Sequence, residues 1–387
     1  MILSDRIKTY LYWFIVAQIC VISISIAASS LLLGLIILSI IALFITDRRW
    51  PIPHTAIDGA VLAYIIIEFI TAYNSDQLYD ALKNTKRLLL IAMVYAVVIS
   101  FTSKHQLRRS IQLLSGSVAL LSIAEIVLYY LNGGERLYVF QHYMTTGGLK
   151  MIVALMLIPF ILEPGVERKD RFYYSAVFIP TILALVLTNT RSAWLGLVFG
   201  IMMMSIIHYR KLFVILAAAV ILFFLFAPEH QVTRAQSIVD LSNPSNVSRL
   251  NMWSTGLRMW QDKPLLGFGD IDLYRTYLTY RTPTGDEPAG HLHNNYIHLL
   301  VTTGIIGLSI VMFLFYKILS TEYRVFRNNS SDPFVRSIAL GSLAVFCGFL
   351  VNGMFEWNFG DHEIMIFVWF TVGLSVAAGS ANGGEKV

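Results

Sequence analysis

Apolar and polar positions alternate along this chain in long blocks rather than residue by residue. Twelve apolar runs, at roughly 10–27, 30–46, 55–73, 87–103, 111–131, 148–163, 173–189, 193–208, 212–227, 295–316, 336–353 and 363–380, are separated by polar turns. About 20 apolar residues of helix cross the hydrocarbon core of a bilayer, and runs of this length recur here from end to end. They are continuous and do not alternate with period two, which argues against a β-barrel. The pattern predicts an all-α polytopic membrane protein with about 12 transmembrane helices, the first two forming a tight hairpin around Ser29 and Ser30. Arg6 and Lys8 lead into a first helix expected to be retained, because a second apolar run follows at once.

The one long polar interval, 228–294, falls between the ninth and tenth runs. Trp253, Leu257 and Trp260 recur there at helical spacing, so 246–262 reads as an amphipathic helix, with Arg249, Trp253 and Leu257 on one stripe. The aromatic stripe fits either a membrane-interface anchor or a platform for sugars. Pro264 ends the helix and Gly267-Phe268-Gly269-Asp270 makes a turn. The Tyr-rich 274–280 and the Pro/Gly-rich 281–290 are expected to form a loop covering a substrate.

Composition agrees with the membrane class. Hydrophobic residues make up 56% and charged residues 14% of the chain, whereas soluble domains carry about a quarter charged. A single integral domain over 1–387 is expected, with 228–294 as a loop within it. The net charge of +5 is spread over short loops and speaks for orientation rather than nucleic-acid binding. Cys20 and Cys347 sit in distant apolar runs, so no disulfide framework is expected.

With the N-terminus inside, the inner segments hold seventeen lysines and arginines. The short outer segments hold six: Lys83, Lys86, Arg87, Arg136, Lys150 and Arg191. That asymmetry predicts cytoplasmic termini and an outward-facing 228–294. The six outer cations oppose the bias. They are either helix-end residues reaching toward water or a shared anion site. Arg191 stands apart, in a brief polar turn between two apolar helices where bulk water is far. It is either one half of an ion pair or a bidentate phosphate ligand.

His293 should lie at the outer mouth of the tenth helix, and Gly304 and Gly307 should give that helix a small face for close packing. His291, His293 and His298 are near in sequence. However, 291 and 293 do not share a helical face and no acidic residue completes a ligand set, so a metal is not expected.

At these residues the chain resembles the O-antigen ligase superfamily. His293-Asn294, nine residues, then Gly304-x-x-Gly307 is similar to that family's histidine signature. Arg191 to Leu195 is similar to its outward R-x3-L element. Arg249 and Trp253, followed by Lys263-Pro264-Leu265-Leu266-Gly267-Phe268-Gly269, resemble the lead-in to the histidine. The resemblance covers the C-terminal half, while the first 150 residues match in hydropathy alone.

The resemblance implies a GT-C-type glycosyltransferase of lipopolysaccharide biosynthesis in the bacterial inner membrane. It would move a glycan from undecaprenyl diphosphate to lipid A–core in the periplasmic leaflet, with inversion and without metal or cofactor. His293 would be the general base, and Arg191 and Arg249 would stabilise the diphosphate. Asn294 would orient His293 or the acceptor, and Lys83, Lys86, Arg87 and Arg136 would hold phosphates. O-antigen polymerases and protein O-oligosaccharyltransferases share parts of this pattern. A bicarbonate-transporter-like member would need a polar path, which Asp58, Glu68, Glu125 and Asn352 are too scattered to define.

Overall fold

The computed structural model describes residues 2–134, 136–282 and 290–382, and among these the chain is helical with no strand. The helices are α1 (Ile2–Val21), α2 (Ile26–Asp47), α3 (Asp58–Tyr73), α4 (Leu78–Asn84), α5 (Ala92–Ser100), α6 (Lys104–Leu131), α7 (Tyr143–Leu162), α8 (Arg168–Leu187), α9 (Arg191–Ile207) and α10 (Lys211–Phe226). They continue as α11 (Glu229–Gln236), α12 (Pro244–Asp262), α13 (Tyr274–Tyr280), α14 (Asn295–Asn328), α15 (Pro333–Asn352) and α16 (His362–Asn382). A 3-10 segment, Thr85–Ile91, leads into α5.

Seven of these helices, α2, α6, α7, α8, α14, α15 and α16, are long and apolar enough to cross a membrane, and α9 and α10 are shorter apolar helices. Exposure identifies the solvent they need. Helix α10 buries only Leu212 while Phe213, Val214, Ile221, Leu222, Phe224, Leu225 and Phe226 are exposed. A continuous apolar rim of that kind is paired with lipid, not water. At the centre, every residue of α7 from Thr146 to Phe160 is buried, packed between α8, α9 and α15.

Local chemistry sets the helix ends. The Ser103 and Gln106 side chains close a capping box on α6, and Asp332 caps α15 ahead of Pro333. The first hairpin turns at 22–25, not at Ser29 and Ser30. Ser25 caps α2, which leaves Ser29 buried inside that helix, where its carbonyl accepts from Gln18.

Helix α14 is broken at Gly304, which has φ 66° and ψ −174°. Lost helical bonds are replaced across the break: Phe268 N donates to the Val301 carbonyl (3.0 Å) and Gly269 N to Thr302 (2.8 Å), while Ile305 N donates to Pro264 (2.9 Å). A strap, 264–270, is therefore threaded into the kink. A Cβ on Gly304 would overlap the Leu265 carbonyl, and one on Gly267 (φ 66°) would overlap the Val301 carbonyl. The two motif glycines expected to ease helix packing thus act differently: Gly304 admits a backbone, while Gly307 lies against Thr303 of its own helix.

The two ends of the bundle hold separate sets of charges. At one end Arg108 pairs with Glu167 (2.9 Å) and Asp170 (3.2 Å), Lys104 with Asp332, and His208 with Glu163 (3.3 Å). Helices α11–α13 and His293 lie at the other.

Candidate active site

Four pieces meet at that second end: the turn before α14, the link 353–361 between α15 and α16, helix α12, and the α8–α9 turn. His293 occupies left-handed backbone, φ 44°, a conformation costly for a non-glycine residue. The next residue explains how it is held. Asn294 Oδ1 accepts from Tyr296 N (2.9 Å) and Ile297 N (3.0 Å), capping α14, while Nδ2 donates to the Met354 carbonyl (2.8 Å). Both halves of its amide are committed to backbone, so Asn294 locks the base of His293 to the link. Trp253 Nε1 donates to the Leu292 carbonyl (3.1 Å). The tryptophan braces the residue before His293.

On that link sits Glu356, 2.9 Å from His293 Nδ1. Burial pushes the Glu356 carboxyl up, but the hydrogen bond and charge of His293, with His291 and Arg249, outweigh it and hold the carboxyl below its ordinary range. An ionised carboxylate only accepts, so Nδ1 is the donor to Glu356 and Nε2 is the ring nitrogen turned away from it. The His291 ring packs edge-on against His293, centroids 4.3 Å apart. Burial pushes His291 below its ordinary value, and His293 adds to this. One ligand atom each from His291, His293 and Glu356 lies within 4.8 Å of the others. The expectation of no metal rested on no acidic residue completing the set, and Glu356 corrects that premise.

Arg191 is buried, 6% exposed. Its Nη1 donates to the Ser237 carbonyl (2.7 Å) and Oγ (3.0 Å), and Nη2 to Ser245 Oγ (3.1 Å). Among the described residues it pairs with no carboxylate, so the ion-pair alternative is not what the fold builds. Arg249, one turn beyond Ser245 on α12, reaches the same hydroxyl (3.4 Å). Arg136 donates to the Thr188 (3.0 Å) and Asn189 (3.2 Å) carbonyls and stacks on the Tyr143 ring. Arg234 also donates to the Asn189 carbonyl (3.2 Å). Left-handed Asn189 (φ 53°) turns that carbonyl toward both guanidinia. Burial lowers Arg136, Arg234 and Arg249 from their ordinary values, and repulsion within the group contributes for each of Arg136 and Arg249. Among the described residues none of these four arginines forms an ion pair, which leaves their positive charge uncompensated at short range.

The other expected cations are elsewhere. Arg87 is paired with Asp270 (2.5 Å), faces Glu68 (3.9 Å) and lies over Trp357; it fastens the strap to the bundle. Lys150 is buried inside α7 against Glu125 (2.6 Å), not at an outer surface. Lys83 and Lys86 are exposed and away from the arginine group's hydrogen bonds. Residues 283–289, the middle of the expected covering loop, lie outside the described residues, and 274–280 is helix α13.

A cavity of about 590 Å³ opens in front of His293, lined also by His142, Thr145, Asn352, Glu356, Asn358, Asp361 and Glu363. The His142–Tyr143 pair divides it from the arginines, since His142 lines the cavity while Tyr143 stacks on Arg136. A second cavity, about 670 Å³ and almost wholly apolar, runs between α7, α8, α9 and α10 and reaches Ala235 and Ile238. These flank Arg234 and Ser237 on α11 and the turn that follows it.

Residues 176–312 match the family model Wzy_C, described as O-antigen ligase. No curated protein matches the chain. The matched stretch contains Arg191, Arg234, Arg249, His293 and Gly304, and stops short of Glu356.

Proposed function

From the match of residues 176–312 to the O-antigen ligase family model, we propose an O-antigen ligase: a glycan passes from undecaprenyl diphosphate to lipid A–core. The observation that carries the reading is the adjacency of a carboxylate-backed histidine to one buried and three half-buried arginines that form no ion pair among the described residues. The chain is one integral domain of the GT-C type crossing the inner membrane twelve times, with both termini cytoplasmic. The 228–294 loop and the site then face the periplasm, where both lipid-linked substrates meet.

The donor's diphosphate binds at Arg191, Arg249, Arg136 and Arg234, and its isoprenoid follows the apolar cavity between α7 and α10. The acceptor sugar enters the cavity at His293. Its hydroxyl loses a proton to Nε2 as its oxygen attacks the anomeric carbon. Nδ1–H stays bonded to Glu356, whose carboxylate stabilises the imidazolium that forms. The anomeric C–O bond breaks with its electron pair leaving to the diphosphate, where the guanidinia meet the growing charge. Attack and departure on opposite sides of the ring invert the anomeric centre. Lys83 and Lys86 serve the acceptor's phosphates from the surface. Arg87 and Asn294 act on the site through the strap and the helix cap.

Arg191→Lys is expected to lower kcat/KM about tenfold to a hundredfold, since one point charge replaces a fork held by three hydrogen bonds, each charge-assisted bond being worth about 1.5–3 kcal/mol. Donor titrations of the purified variant check this. Glu356→Gln is expected to lower kcat by a similar factor with donor KM nearly unchanged, because charge stabilisation of the imidazolium is lost while the donor's arginines remain. The function itself is tested with purified protein, lipid-linked glycan and lipid A–core in excess EDTA. Full transfer supports the metal-free reading, and loss restored by a divalent ion would overturn it.

A further inference from the structure

The transfer chemistry uses His293 and Glu356 but gives no task to His291, the third member of the cluster. His291 Nδ1 and Glu356 Oε2 are both buried with no hydrogen-bond partner among the described residues. Buried polar atoms are seldom left so, because each unmade bond costs about 1–3 kcal/mol.

We propose that His291, His293 and Glu356 form an inhibitory site for one divalent ion of the zinc class. One ligand atom from each lies within 4.8 Å of the others. Two imidazoles and a carboxylate are a zinc donor set, with bonds of about 2.0–2.2 Å and a fourth position left for water. Small rotations of the three side chains close the set around an ion. Imidazole ligation selects zinc or cobalt over magnesium and calcium, which prefer all-oxygen shells. The cavity of about 590 Å³ gives the ion access, and Asp361 in its lining adds negative charge near His291.

An ion shared by Glu356 and His293 takes Nδ1 and leaves the ring's proton on Nε2, so the imidazole cannot accept the acceptor's proton. Metal binding and base catalysis therefore exclude one another. Binding stands on the geometry alone, while inhibition rests on the general-base reading of His293.

The test uses untagged full-length protein stripped with chelator and dialysed free of it. Co²⁺ is titrated in as a visible-absorbing probe, then displaced by Zn²⁺, and transfer is assayed with and without Zn²⁺. The expected result is one Co²⁺ per chain with a d–d band that Zn²⁺ abolishes, together with loss of transfer in Zn²⁺. His291→Ala should weaken Co²⁺ binding by about tenfold or more, since loss of even an outer partner of a metal ligand costs 10–100-fold. Whatever transfer that variant retains should no longer be sensitive to Zn²⁺. No band in the wild type, or an unchanged band in His291→Ala, overturns the site. Stoichiometric binding with undiminished transfer overturns the inhibition. Absence of transfer from metal-free wild type counts against the catalytic reading, and the Co²⁺ titration still decides the site.

Discussion

Replacing His293 by alanine is expected to lower glycan transfer by about 10²–10⁴-fold, the usual contribution of a positioned general base, while the protein still inserts and folds. The folding half follows from the hydrogen bonds. The α14 cap is made by the Asn294 side chain, and the bond to the link by Asn294 Nδ2, so truncating His293 leaves both in place. It also removes a side chain from a left-handed position without changing the backbone bonds around it. Glu356 is then left without its partner, which costs some stability but not the architecture. Transfer assays beside thermal unfolding in detergent check the two halves separately. Near-normal transfer would remove the base assignment, and a protein that cannot be purified folded would mean that His293 is structural.

Gly304→Ala is expected to be as damaging, although Gly304 belongs to no proposed substrate contact. Its φ of 66° with ψ −174° is open essentially to glycine alone. A Cβ would overlap the Leu265 carbonyl at the point where the strap enters the α14 break. Strain and overlap together should cost about 3 kcal/mol or more. The expected outcome is a large fall in folded yield or unfolding temperature. Any folded remainder should have weak activity, since the strap also carries Asp270, the partner of Arg87 beneath Trp357. Gly34→Ala on α2 meets nothing within 4 Å and serves as the control. Unfolding temperatures of the two variants against wild type decide the point.

The helical blocks were legible because apolar runs of bilayer length report themselves without tertiary context, and α12 lies within two residues of its expected start. His293, Arg191 and Arg136 could be singled out because each is a polar residue near the end of an apolar run, and Arg249 because it shares the stripe of Trp253 and Leu257 in 246–262 and the family resemblance. What the sequence hid lies in long-range pairing. Glu356 stands 63 residues beyond His293 in a link with no motif of its own. Only the fold returns α15 to the same end and brings the two together. Arg234 was one of several basic residues in a polar interval, with nothing local to mark it.

Misplaced residues fail for the same reason. Arg87 and Lys150 read as outward cations until Asp270 and Glu125 are seen to pair with them. Gly304 read as a packing glycine because a three-residue spacing carries no sign of a broken helix. Its real neighbour, the Leu265 carbonyl, belongs to another segment of the chain.

Ligation of a polymer to lipid A–core by this protein is tested most directly with a lipopolysaccharide gel. A strain lacking the gene is run beside the same strain complemented. Rough lipopolysaccharide, with polymer accumulating on the lipid carrier and the ladder restored by the gene, is the expected result. Core bearing a single repeat unit would contradict ligation in favour of polymerisation, and an unchanged ladder would contradict both.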